Sequence, residues 1–177
     1  KLEWNMHNWI WYCSGYRTEA FNEWFEYVHD QLGMDVLYVS TDFSKYDVTQ
    51  GVHCMDRESA HYKSLGFEED VEYGKSVLRN MHTSTVYAKS AKYPIPGTRK
   101  SGDSNTSSGN TKNTGEAIGS FLKSYGLKPF CYMAVLGDDN FTVVDRKAWI
   151  EAFGSLDNGV RLLKQWISGL GYVLRVA

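Results

Sequence analysis

Apolar positions recur along this chain with two periods, and the switches between them lay out its elements. Phe21, Trp24, Phe25, Val28 and Leu32 fall at helical spacing, with Thr18 placed to cap the start and Gly33 to end it. The run from Met34 to Phe43 is mostly apolar and rich in β-formers, which predicts a buried strand ending at an acid, Asp42. Residues from about Val48 to Leu65 and from about Glu68 to Met81 read as two weaker helices, and Thr83 to Ala88 as a short strand. Tyr93-Pro94-Ile95-Pro96-Gly97 is a turn or an extended loop, because each proline biases its predecessor away from helix. Ile118, Phe121, Leu122 and Tyr125 restore helical spacing, closed by Gly126. Phe130 to Leu136 and Phe141 to Val144 are β-rich runs joined by a glycine-containing turn, the signal of a hairpin. Val160, Leu163, Trp166 and Ile167 mark a further helix, and Tyr172 to Val176 a last strand. This order predicts an α+β domain with helices packed on one face of a small, mainly antiparallel sheet.

One segment resists the pattern. From Ser101 to Glu116 there is no bulky apolar residue, and composition alone reads as a flexible linker.

With 177 residues, 42% hydrophobic and 15% aromatic, the chain fits one domain with a real core. No run of 18 apolar residues is present, so no membrane segment is expected, and Lys1 to Asn5 lacks the features of a signal peptide. Cys13, Cys54 and Cys131 are odd in number and show no Cys-x-x-Cys spacing, so a reduced compartment without disulfides or structural zinc is expected. A net charge of −2 and a pI near 6.2 argue against a free-standing nucleic-acid binder.

Chemistry enters at Gly137-Asp138-Asp139. Two carboxylates at a hairpin tip repel each other unless a cation sits between them, and Mg²⁺ accepts carboxylates, water and phosphates together. If the strand ending at Asp42 neighbours this hairpin, three carboxylates converge at one edge of the sheet. Such a set suits phosphoryl or nucleotidyl transfer around two cations roughly 3.5 to 4 Å apart.

The spacing then becomes specific. Asp42-Phe43-Ser44-Lys45-Tyr46-Asp47 has the D-x4-D form of polymerase motif A, Ser101 to Asn110 has the S-G-x3-T-x3-N form of motif B, and Gly137-Asp138-Asp139 matches motif C, in family order. At ordinary residue frequencies, four fixed motif-B positions arise by chance in about one chain of this length in a thousand. The chain resembles the palm of a viral RNA-dependent RNA polymerase, closest in its motif-B wording to positive-strand viruses of the tombusvirus and nodavirus type. The resemblance implies an RRM-like palm over residues 1–177 carrying motifs A, B, C and D, with a helical fingers-like insert at about 48–96. It implies two ions, Mg²⁺ or Mn²⁺, held by Asp42, Asp138 and Asp139, and partners in RNA template, nascent strand and nucleoside triphosphates. It implies ribose selection by Asp47, Ser101, Gly102, Thr106 and Asn110, with Arg99 and Lys100 meeting RNA phosphates. Asp47 with Gln50 also reads as a capping box at a helix start. Arg175 stands nearest the basic position that assists pyrophosphate departure; as an arginine it is suited to electrostatic help rather than proton donation. The implied location is the host cytoplasm, in a viral replication complex. On this reading the Ser/Gly/Asn run is a loop leading into a helix, in which small residues let RNA and nucleotide approach the backbone.

Two other readings remain. A reverse-transcriptase palm shares the architecture, but usually carries an aromatic residue two places before its acid pair, where this chain has Leu136. A catalytically idle palm core that self-associates is the non-enzymatic alternative, with Trp4, Trp9 and Trp11 as its first candidate contacts. Residues 1–41 contain only Lys1 and Arg17 as bases, so the basic fingers motif expected upstream is not evident, nor are a primer-grip hairpin and thumb after Ala177. The purified 177-residue chain is therefore expected to extend a primer poorly; robust extension in a gel assay contradicts this expectation.

Overall fold

The computed structural model describes residues 7–67, 84–88, 91–95, 99 and 105–176. In chain order its elements are β1 (Ile10–Tyr12), α1 (Thr18–Leu32), β2 (Val36–Phe43), α2 (Tyr46–Thr49), α3 (Val52–Ser64), β3 (Ser84–Ala88) and β4 (Ala91–Ile95). There follow α4 (Thr106–Ser124), a 3₁₀ turn (Lys128–Phe130), β5 (Cys131–Leu136), β6 (Asp139–Asp145), α5 (Arg146–Phe153), α6 (Leu156–Gly169) and β7 (Leu174–Val176). They form two compact units, residues 1–44 with 110–177, and residues 45–109.

The first unit is built on a five-stranded sheet in the order β1-β5-β6-β2-β7. β1 runs parallel to β5, and the other three pairings are antiparallel. The α+β class and the small, mainly antiparallel sheet are those expected from the sequence. From Tyr38 onward β2 alternates, with Val39, Thr41 and Phe43 buried and Tyr38, Ser40 and Asp42 exposed. A half-buried strand, rather than the fully buried one expected, therefore turns Asp42 toward solvent.

Side chains on the Asp42 face include Trp11, Val36, Ala134 and Val143, which pack with Trp24 and Val28 of α1 into an aromatic-rich core. Trp11 stacks on Trp24 with ring centroids 5.8 Å apart. The opposite face receives α4, where a Cβ at Gly119 would stand 3.2 Å from Ile10 Cδ1 and one at Gly115 3.0 Å from Tyr12 Oη. Small residues let that helix lie close to β1. Phe121 of α4 stacks on Phe153 of α5 at 5.5 Å and meets Trp166 of α6, whose Nε1 donates to Ser120 Oγ at 3.3 Å. Thus α4, α5 and α6 pack together while α1 takes the other face, so the helices cover both faces of the sheet rather than the one face expected.

Local signals explain most boundaries. Gly33 ends α1 with φ of +77° and its N–H donates to His29 O at 2.8 Å. The cap position of α1 is Arg17 rather than Thr18, which is already helical. The sequence reading omitted β1 and α5. β1 is too short for a period to emerge, but α5 carries its own signals: Asp145 caps it by accepting from Ala148 N at 2.7 Å, and Gly154 closes it at φ +77°.

In the second unit, β3 and β4 form an antiparallel ribbon with Ser84 opposite Ile95 and Ala88 opposite Ala91. Pro94 sits within β4, so Tyr93 to Ile95, the first part of the segment expected as a turn or extended loop, are paired strand; Pro96 and Gly97 lie outside the described residues. A two-stranded ribbon has only edges, and an edge tolerates the missing donor. The first weak helix is observed as α2 and α3, separated by a break at Gln50 and Gly51; the helix expected at Glu68 to Met81 lies outside the described residues.

Gly159 in α6 lies against Trp149 of α5, and a Cβ there would stand 2.4 Å from the indole ring. Helix propensity favours alanine over glycine by about 1 kcal/mol, whereas overpacking a core costs about 1–3 kcal/mol. Gly159→Ala is expected to lose roughly 1–2 kcal/mol in urea unfolding, because the buried indole has nowhere to move; a gain would contradict the packing described.

Candidate active site

The β5–β6 hairpin closes with Leu136 opposite Asp139, leaving Gly137 and Asp138 as its two turn residues. Gly137 has φ +63°, the positive value that a type II′ turn needs at its first central position. Its N–H donates to Thr111 Oγ1 of α4 at 2.7 Å. The tip is thus tied to a helix instead of standing free.

Thr41 of β2 lies opposite Asn140 of β6. One step further along each strand brings Asp42 beside Asp139, at exposed positions on the face that carries α1. On the other side of β2, Asp42 lies opposite Arg175 of β7. Asp139, Asp42 and Arg175 therefore form a row across three neighbouring strands, all exposed, with Asp138 at the adjoining turn.

Beneath this row, on the buried face, Asn140 Oδ1 accepts from Thr41 Oγ1 at 3.2 Å and from Thr142 Oγ1 at 3.0 Å. Asn140 Nδ2 donates to Ala134 O at 3.4 Å, so one amide joins β2, β5 and β6. Thr41, Thr111 and Asn140 lie outside the positions that the motif spacing marks. A readable signal was present in Asn140, a polar residue at a strand position whose neighbours on that face are apolar.

Electrostatics unite the three acids. Partial burial, and then the charges of Asp138 and Asp42, raise the Asp139 carboxyl above its ordinary value. Carboxylate oxygens are hard donors that suit Mg²⁺ or Mn²⁺, and a cluster that holds one of its members back from ionising lacks positive charge. By donor chemistry and charge the residues fit such an ion. They are not placed as a closed shell: among the described residues no group of three His, Cys, Asp or Glu side chains is arranged to hold a metal.

A cavity of about 440 Å³ adjoins Asp139 on the same face, walled by Trp11, Tyr16, Phe21 and Phe141, with Arg17 at its lining.

The remaining predicted residues are more dispersed. Asp47 lies in the first turn of α2, where Lys45 takes the cap position in the left-handed region at φ +52°. Asp47 thus stands inside α2 rather than at its start, and Gln50 takes the C-cap, its N–H donating to the Asp47 backbone oxygen at 3.2 Å. Thr106 opens α4 and Asn110 lies buried one turn on. Arg99, expected on an RNA-facing surface, is buried with its guanidinium paired to Glu58, a neutralised position that phosphate contact does not favour. Lys100, Ser101 and Gly102 lie outside the described residues.

Residues 1–155 match the model of a protein family described as RNA dependent RNA polymerase. No curated protein matches the chain.

Because the native state holds the Asp139 proton more tightly than the unfolded chain does, its stabilising effect is complete below the ordinary carboxyl range and is lost as pH rises through the raised value. Asp139→Asn is therefore expected to raise the thermal midpoint at pH 7 and to leave it unchanged at acid pH, where the native carboxyl is already protonated. An equal shift at both pH values would argue against repulsion among the acids.

Proposed function

The chain belongs to the RNA-dependent RNA polymerases of positive-strand RNA viruses, and from that premise we propose that its five-stranded unit is the catalytic palm. The reading assigns to Asp42, Asp138 and Asp139 the binding of two ions, Mg²⁺ or Mn²⁺, during nucleotidyl transfer from a nucleoside triphosphate to the 3′-hydroxyl of a growing RNA. One observation carries it: Asp42 and Asp139, residues from two separate sequence motifs, stand side by side on β2 and β6. When bound, the ions would lower the pKa of the attacking hydroxyl and stabilise the leaving oxygen.

The chain's own groups do the rest. Asp42 and Asp139, held by the strand register, orient the reacting ends along one row. Arg175, opposite Asp42, supplies fixed positive charge toward a departing pyrophosphate. The aromatic cavity beside Asp139 offers stacking surfaces and a size suited to a nucleoside of the nascent strand. Thr106 and Asn110, with Asp47, Ser101 and Gly102, select the ribose by its 2′-hydroxyl. The template strand and Lys100 belong to the same reading, as does replication in the host cytoplasm.

Calorimetric titration with Mn²⁺ tests the metal assignment. Asp138→Ala is expected to weaken binding by at least about 10-fold, equivalent to about 1.4 kcal/mol. Equal affinity in wild type and variant would refute it.

A further inference from the structure

We propose that the buried Glu58–Arg99 ion pair positions the first turn of α4 and so acts on ribose selection through Thr106 and Asn110; its catalytic half rests on the polymerase reading above. The Arg99 and Glu58 side chains are 1% and 3% exposed. Glu58 Oε1 receives the Arg99 guanidinium, and Glu58 Oε2 accepts from Asn105 Nδ2 at 3.3 Å. Arg99 Nη1 donates to the Asn105 backbone oxygen at 3.4 Å. That same oxygen accepts from Gly109 N at 2.8 Å and Ser108 Oγ at 3.2 Å. The pair therefore grips both the side chain and the carbonyl of the residue that leads into the helix.

Gly109 is the counterpart of this grip. A Cβ there would lie 2.6 Å from Arg99 Nη2 and 2.6 Å from Glu58 Oε2, so the helix backbone rests directly on the ions. A carboxylate against an N-terminal turn also favours the helix dipole. Apolar residues of similar volume would join α3 to α4 without the cost of burying charge. What the ions add is direction, through hydrogen bonds that fix where the helix starts.

The test compares the 177-residue chain with Glu58→Gln and with the double variant Glu58→Met/Arg99→Met. The single variant leaves a buried guanidinium uncompensated and lowers the thermal midpoint; the double variant removes both charges and regains it. In both, backbone amides of residues 106–110 are expected to exchange at least about 10-fold faster while those of β5 and β6 are unchanged. The preference for ATP over dATP in Mn²⁺-dependent binding is expected to fall at least about 5-fold, by loss of position rather than of fold. The inference is overturned by a double variant that regains the midpoint with wild-type exchange or wild-type ribose preference. It is equally overturned if the double variant fails to regain the midpoint, since the pair would then serve stability alone. A wild-type chain without ribose preference would instead sink the assignment of Thr106 and Asn110, and the exchange result would still decide the clamp.

Discussion

Three carboxylates of like charge lie at one end of a five-stranded sheet, and the buried amide of Asn140 fixes the register that places two of them side by side. Its oxygen accepts hydroxyls from Thr41 and Thr142, which pins β2 to β6 one residue away from Asp42 and Asp139. A slip of one position would turn both acids into the core and the Thr/Asn cluster out to water. Buried polar groups satisfied in this way specify a single register, because any other pairing leaves them without partners. The acids that, after burial, add to the raised Asp139 value are thus held together by geometry, and a cation between them would offset their repulsion.

The helix behind the sheet follows from the same constraint. The first half of α4 has poor helix formers, yet Thr111, Asn113 and Thr114 are buried, and Thr111 receives the Gly137 N–H of the hairpin tip. Gly115 and Gly119 let it lie close to β1. A helix chosen for its propensity would carry side chains too large for that approach. The segment that looks like a linker by composition is therefore a helix selected for small size and hydrogen bonding.

Much of this was legible in the sequence. The period of Phe21 to Leu32 located α1, the glycine turn located the hairpin, and Val160 to Ile167 located α6, because each element shows a long apolar stripe or a strong punctuating residue. The start of α4 was not legible in its apolar pattern, since its buried face is polar. β1 was too short to show a period, and the burial of Arg99 left no mark in the sequence because its partner, Glu58, lies 41 residues away. The acids could be picked out from the motif spacing. The residues that hold them, Thr41, Thr111 and Asn140, could not, because hydrogen bonds between distant strands leave no local pattern.

The central claim is that Asp42, Asp138 and Asp139 act as one cation site. Paramagnetic broadening by Mn²⁺ in amide NMR spectra addresses it directly. The account predicts that substoichiometric Mn²⁺ broadens signals around Asp42, Gly137 to Asn140 and Arg175 while the exposed acids of α1 stay sharp. Broadening centred on Glu19, Glu23 and Glu26, or spread evenly over all surface acids, would contradict it.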